Sequence, residues 1–157
     1  MDVFELLKSD HEKVSTIFTQ LEPLGEADAA QRRQLFTQLK QELDLHAQLE
    51  ETLLYPRLKA VEETQDITIE AIEEHQEVKD LLAELEATAP ENEEWNDLLL
   101  ELKENVEHHV EEEENEMFPQ ARQVLSQQEI NEIGSQIQAA KQQHQSGRAA
   151  SATNTNL

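Results

Sequence analysis

The chain has no cysteine. That removes disulfides, thiolate zinc sites, iron–sulfur ligation and a cysteine nucleophile together. Glycine and proline are nearly as scarce, three and four in 157 residues, and aromatics make up only 4%. With little Val or Thr besides, strands and the turns that join them lack their usual residues. Basic residues are outnumbered 12 to 35 by acidic ones, for a net charge of -23. Nucleic acid, whose phosphates want Lys and Arg, is not an expected partner, nor is an anionic membrane surface. No run approaches the about 18–20 apolar residues a membrane helix needs. Met1-Asp2-Val3-Phe4-Glu5 is acidic and amphipathic, unlike a basic, apolar leader. A soluble, cytoplasmic protein is the expectation.

What remains is Leu, Glu, Gln, Ala and Lys, the palette of helices, in a chain long enough for one domain with its own core. Asp2 with Glu5 reads as a reciprocally capped helix start, and Pro23-Leu24-Gly25 ends that helix after about Glu22. Asp28 with Gln31 opens a second helix, which passes Tyr55-Pro56 with a kink or stop and runs to about Glu63. A third runs from Asp66 to about Thr88-Ala89-Pro90, and Glu91–Glu94 suit the start of a fourth, which meets Pro119. Ser126-Gln127-Gln128-Glu129 is a capping box for a fifth. The expected division is a bundle over 1–125, an additional helix over 126–145 and a disordered tail over 146–157, which has nothing to bury. The fifth helix could cover one end of the bundle or pair with another chain.

Apolar periodicity supports these helices and reveals a repeat. Leu35, Phe36, Leu39, Leu43, Ala47, Leu53 and Leu54 share one face of the second helix. Displaced by 63 residues they become Leu98, Leu99, Leu102, Val106, Val110, Glu116 and Met117, with Glu116 the one misfit. First and third helices match at a displacement of 64, pairing Leu7 with Ala71, Val14 with Val78, Phe18 with Leu82 and Leu21 with Leu85. A helix pair is repeated twice.

The histidines obey the same repeat. His11 answers His75, and His46 answers His109. Glu50 and Glu113 follow the latter two by four residues, and Tyr55-Pro56 and Phe118-Pro119 follow in turn. Residues i and i+4 stack on a helix, so an imidazole and a carboxylate at that spacing can reach one ion. Six metal-capable side chains, His11, His46, Glu50, His75, His109 and Glu113, therefore face the axis of the expected bundle. Buried carboxylates are costly unless paired or ligated, and two ions bridged by the glutamates would satisfy all six. Imidazole and carboxylate without sulfur suit Fe, Mn or Zn. A lone histidine on an apolar face is more often a packed core residue, and an HxxxE pair in a Glu-rich chain is weak; two pairs in phase, each with a partner histidine, are not. His108 with Glu112 has the same spacing but lies on the helix flank, and His144 is expected in solvent. Tyr55 and Phe118 are read as packing residues beside the kink.

Asp10-His11-Glu12, His46…Glu50…Tyr55-Pro56, Glu74-His75 and His109…Glu113…Phe118-Pro119 resemble the four ligand segments of the hemerythrin family, in its broad HHE cation-binding group. The resemblance spans about residues 2–125. It implies an all-α, up-down-up-down four-helix bundle and a non-heme di-iron centre bridged by two carboxylates and an oxo or hydroxo species, with Zn or Mn as substitutes. It further implies His11 and His46 on one iron, His75 and His109 on the other, and Glu50 and Glu113 spanning both. Oxygen-carrying hemerythrins have a further histidine four residues after the third-helix one; here that place is Lys79, and its repeat equivalent is Ser15. A more open site favours chemistry over reversible carriage. Relatives that repair iron–sulfur clusters carry a cysteine-bearing segment, which is absent.

The expected function is thus a di-iron protein, monomeric or a weak homo-oligomer, that meets O₂, peroxide or nitric oxide as sensor, scavenger or weak peroxidase. The alternatives are metal storage without turnover, and an acidic helical interaction module whose histidines merely pack.

Overall fold

The computed structural model describes residues 2–155, with side chains for 2–145. Asp2 accepts hydrogen bonds from the N–H groups of Phe4 (2.8 Å) and Glu5 (3.4 Å) and starts α1, Val3–Leu21. Capping there is one-way, from Asp2. After Pro23 and Gly25, the Asp28 carboxylate accepts from the Gly25 N–H at 2.9 Å, which shapes the connection instead of capping forward. Then α2 runs Ala29–Leu49.

The second helix departs from expectation where the chemistry sits. It opens into a wide π turn, Glu50–Leu54, continues as a short α3, Tyr55–Lys59, and stops. The next helix, α4, begins earlier than Asp66, at Glu62, and runs to Glu86. Pro56 is the physical reason for the turn. It offers no N–H, and the Tyr55 N–H reaches back five residues to the Glu50 carbonyl, widening the helix by one residue. The repeat does the same. Asn92 caps α5, Glu93–Glu112, by accepting from the Glu94 N–H (3.0 Å). A π turn over Glu113–Met117 follows, closed by the Phe118 N–H on the Glu113 carbonyl, and then α6, Phe118–Val124. The Ser126–Glu129 capping box forms in both directions, each bond 3.1 Å, and starts α7, Gln127–Thr155. The α7 backbone is helical past the expected end at 145, through Thr155, and the side chains of the tail expected over 146–157 lie outside those described.

The four repeat helices make the expected up-down-up-down bundle, and its apolar core has two parts. At one end Val14, Phe18, Leu21, Phe36, Leu39, Leu82, Leu85, Trp95, Leu99 and Leu102 pack together. At the other, Phe4, Leu7, Leu54, Leu58, Met117 and Phe118 meet Ile130, Ile133 and Ile137 of α7. The fifth helix therefore covers an end of its own bundle; each buried isoleucine contributes roughly 2 kcal/mol of apolar burial. Glu116, the misfit in the repeat, is exposed, and its partner Leu53 is only half-buried. Arg32 closes the first end in a way the pattern did not announce. Buried at 4% exposure, it donates to the carbonyls of Leu24 and Pro90 (2.8 Å each) and lies 4.9 Å from the Trp95 ring centre. Between the two apolar parts lies a buried band of histidine and glutamate. No helix among the described residues is long and apolar enough to cross a membrane.

Candidate metal centre

All six residues singled out by spacing are buried, none more than 8% exposed, and Glu50 and Glu113 are at 0% and 1%. His11 comes from α1, His46 from α2, His75 from α4 and His109 from α5. Each glutamate is the first residue of a π turn, so the widening of the helix begins where its carboxylate enters the axis. Such turns concentrate at functional sites because they re-aim side chains that a regular helix would hold elsewhere.

The donor atoms converge. Glu113 Oε1 lies 3.0 Å from His11 Nε2 and 3.8 Å from His46 Nε2, while its Oε2 lies 3.1 Å from His109 Nε2. Glu50 Oε1 lies 3.0 Å from His46 Nε2 and 3.2 Å from His75 Nε2. Each glutamate thus touches histidines of both halves of the repeat. His11 and His46 are neighbours, with ring centres 5.0 Å apart, and so are His75 and His109, at 4.7 Å. Two groups with ligand atoms all within 4.8 Å of one another result: His11, His46 and Glu113; and Glu50, His75, His109 and Glu113.

A second ring of carboxylates, not anticipated as such, surrounds the first. His46 Nδ1 donates to Asp10 (3.0 Å), His109 Nδ1 to Glu74 (2.8 Å) and His11 Nδ1 to Glu114 (2.6 Å), while His75 Nδ1 faces Glu51 at 3.4 Å. Asp10 and Glu74 are repeat equivalents preceding His11 and His75; Glu51 and Glu114 are equivalents following Glu50 and Glu113. The signal was present in the sequence as paired Asp/Glu-His and Glu-Glu steps. A carboxylate on Nδ1 fixes the tautomer and aims Nε2 at the axis, as outer partners of metal-bound histidines do.

Tyr55 also belongs to the site, against the reading of it as packing alone. Its hydroxyl donates to Glu113 Oε2 at 2.6 Å and lies 3.3 Å from His75 Nε2. Burial and the charges of Glu113 and Glu50 raise its pKa well above the ordinary phenol range, so it holds its proton. The repeat equivalent, Phe118, does pack, with its ring centre 4.9 Å from that of Phe4. His108 is 65% exposed on its side chain and sits outside, beside Glu112 (3.1 Å) and Glu74 (3.5 Å). His144 is exposed.

Electrostatics show what this cage wants. Burial would lower the pKa of His46, yet Glu50's charge, with Asp10 and Glu113, raises it well above the ordinary histidine value. Burial is likewise overcome at His109, which Glu113 pushes up to about 10. Glu113 is held well below the ordinary carboxylate range despite burial, chiefly by His109. Positive charge is being drawn to the axis. Even so, His46 Nε2, both Glu50 oxygens and His75 Nδ1 are buried without an aligned hydrogen-bond partner. An unsatisfied carboxylate at zero exposure is costly, and metal ions would satisfy it. The spacing fits too. His75 Nε2 and His109 Nε2 are 3.1 Å apart, the separation of two donors about 2.1 Å from one ion at roughly a right angle.

Beside the cage is a cavity of about 40 Å³. The four histidines line it together with Val14, Leu43, Val78, Leu82, Val106 and Val110, and Asp10, Asp44 and Lys79 also contribute. Lys79 pairs with Glu51 at 3.2 Å.

Known proteins resemble this chain in sequence and in shape. The family description "Hemerythrin HHE cation binding domain" matches residues 2–121. A DNA nickase of Nostoc sp. is 32% identical over 155 residues, 97% of this chain, which spans only 43% of that relative's length. An uncharacterized hemerythrin-like protein of Schizosaccharomyces pombe is 26% identical over 88% of this chain and 68% of its own. The crystal structure of a hemerythrin HHE cation binding domain-containing protein from Mycobacterium kansasii superposes with a TM-score of 0.81 at 28% identity, covering 94% of this chain and 89% of that one.

Proposed function

The chain belongs to the hemerythrin HHE cation-binding family, and from that premise we propose that it holds two iron ions and presents them to one small ligand: O₂, peroxide or nitric oxide. The observation that carries the reading is Glu50, fully buried, with neither oxygen hydrogen-bonded and imidazole nitrogens of both histidine pairs against it. His11 and His46 would hold one ion, His75 and His109 the other, and Glu50 and Glu113 would span them. When bound, the iron pair supplies the electrons and the Lewis acidity for the small oxidant.

The chain's own residues do the rest. Asp10, Glu74 and Glu114 hold the rings in position, and Glu51 faces the fourth. Tyr55 keeps its hydroxyl proton and donates it in a hydrogen bond to Glu113 Oε2, oxygen to oxygen 2.6 Å, at the edge of the site. The valine and leucine wall keeps water from crowding the histidines. A volume of about 40 Å³ accommodates only a few atoms, since a single water needs on the order of 10–15 Å³; this selects diatomics and peroxide over organic substrates. Lys79, drawn to Glu51, leaves open the position that a further histidine occupies in oxygen carriers, which favours turnover over carriage. The DNA chemistry that names the Nostoc relative does not carry over to this reading, because the -23 charge of this chain repels phosphate.

The test is metal analysis of anaerobically purified protein, with a spectrum before and after air. About two iron ions per chain and a new near-ultraviolet absorption on oxidation are expected, and His46→Ala and His109→Ala each lose metal. Metal retained without peroxide consumption would leave storage in place of turnover. A colourless preparation that takes up no Fe, Mn or Zn refutes the reading and returns the bundle to an interaction module.

A further inference from the structure

The ligand cage follows the two-fold repeat, but its surroundings do not. Asp10 accepts at Oδ2 from His46 Nδ1 (3.0 Å) and at its other oxygen, Oδ1, from Lys141 of α7. Asp10 is 4% exposed, and the Lys141 side chain only 19%. This is a built contact between the fifth helix and the inside of the bundle. In the other half, Glu74 takes the place of Asp10 and accepts at Oε1 from His109 Nδ1 (2.8 Å), but its outer neighbours are His108 and Glu112. The fifth helix has no repeat equivalent, so its lysine reaches one half of the cage.

We propose that Lys141 is a positioning residue for His46, acting through Asp10, so that α7 makes the two metal positions unequal. The proposal rests on the metal-binding reading above. A neutral imidazole bound to metal satisfies one oxygen of Asp10; the other remains buried and charged. Lys141 supplies its counter-charge and hydrogen bond, which fixes the carboxylate and with it the direction of the His46 ring. Without the ammonium, Asp10 turns toward water and releases that ring. Glu74 needs no such partner from α7, and the His75–His109 half is unaffected. The anchor for this arm is the row Ile130, Ile133 and Ile137, buried at 2%, 0% and 0%, which holds α7 against α1 and the π turn at Glu50.

The experiment is competition of Fe²⁺ against a chromophoric chelator under anaerobic conditions, on the full chain and on Lys141→Met and Lys141→Arg. Lys141→Met is expected to weaken one of the two iron equivalents about tenfold, the lower end for outer partners of metal ligands, and to spare the other. Lys141→Arg, which keeps a cation on Asp10, restores at least part of it. A second readout needs no metal: ring ¹⁵N resonances of the metal-free protein, where Lys141→Met shifts His46 and leaves His109 in place. Equal weakening of both equivalents, or an unmoved His46 resonance in a variant with wild-type helicity, overturns the proposal. A wild-type chain that binds no iron refutes the metal reading itself. That outcome is told apart by the wild type alone, and it overturns the proposal with it.

Discussion

Removing metal from this protein should reverse the way its stability depends on pH. In the metal-free chain His109 is raised from the ordinary 6.5 to about 10, and His46 is raised well above that ordinary value. A folded pKa above the unfolded one means that the native state holds the extra proton. The stabilisation is then fully present below about pH 6.5 and is lost as pH rises toward 10. For His109, at about 1.4 kcal/mol per pH unit, the interval from 6.5 to about 10 amounts to on the order of 5 kcal/mol. His46, raised in the same direction, adds to the fall, against a total stability of about 5–15 kcal/mol for a domain. Urea denaturation in the presence of a chelator should therefore show a midpoint that falls steadily from pH 6.5 to 9.5. The metal-loaded protein should do the opposite, because its ligands bind metal only when deprotonated and rising pH favours that state. Glu113→Gln removes the strongest attraction that holds the extra proton on His109 and should flatten the metal-free dependence. A metal-free midpoint that stays flat over this range refutes the electrostatic account of the cage.

Other outcomes follow from single contacts. Arg32→Met strands the Leu24 and Pro90 carbonyls and removes the stack on Trp95; a loss of about 2–4 kcal/mol is expected in urea denaturation, and less than 1 kcal/mol would show the clamp to be idle. Tyr55→Phe takes the donor from Glu113 Oε2; metal stoichiometry should hold, and the proposed peroxide turnover should slow by about 10²-fold, the lower bound for general acid catalysis, whereas an unchanged rate would return Tyr55 to a packing role. His108→Ala should leave the metal content at wild-type level by elemental analysis, since that ring lies outside the cage. Ile133→Ala, a fully buried position of α7, should cost about 2–4 kcal/mol of stability, measured by thermal or urea unfolding; a surface-like change would mean that α7 is not docked.

The bundle, its topology and the six residues of the cage could be read from the chain because they rest on local and periodic signals. Helical phase places Leu39 and Leu102 inward whatever the neighbours are. The same phase places His46 with Glu50 and His109 with Glu113, and the displacements of 63 and 64 tie the halves together. What escaped the pattern depends on distances between segments remote in sequence. Helical phase aimed at 3.6 residues per turn cannot show a π turn, which arises because Pro56 and Pro119 withhold a hydrogen bond from the turn before them. Tyr55 therefore looked like packing, although the wide turn swings its hydroxyl to Glu113, 58 residues away.

Sequence alone determined that this chain would fold into paired antiparallel helices with imidazole and carboxylate at matching heights, since both follow from the fixed rise and rotation of a helix. Only the tertiary structure decided which carboxylate meets which imidazole edge, that Arg32 would bind two loops at once, and that α7 would bring Lys141 to Asp10 on one side only. The Asp10–His46, Arg32–Pro90 and Lys141–Asp10 contacts join residues 36, 58 and 131 positions apart. No local rule spans such separations; packing of one apolar face against another sets them.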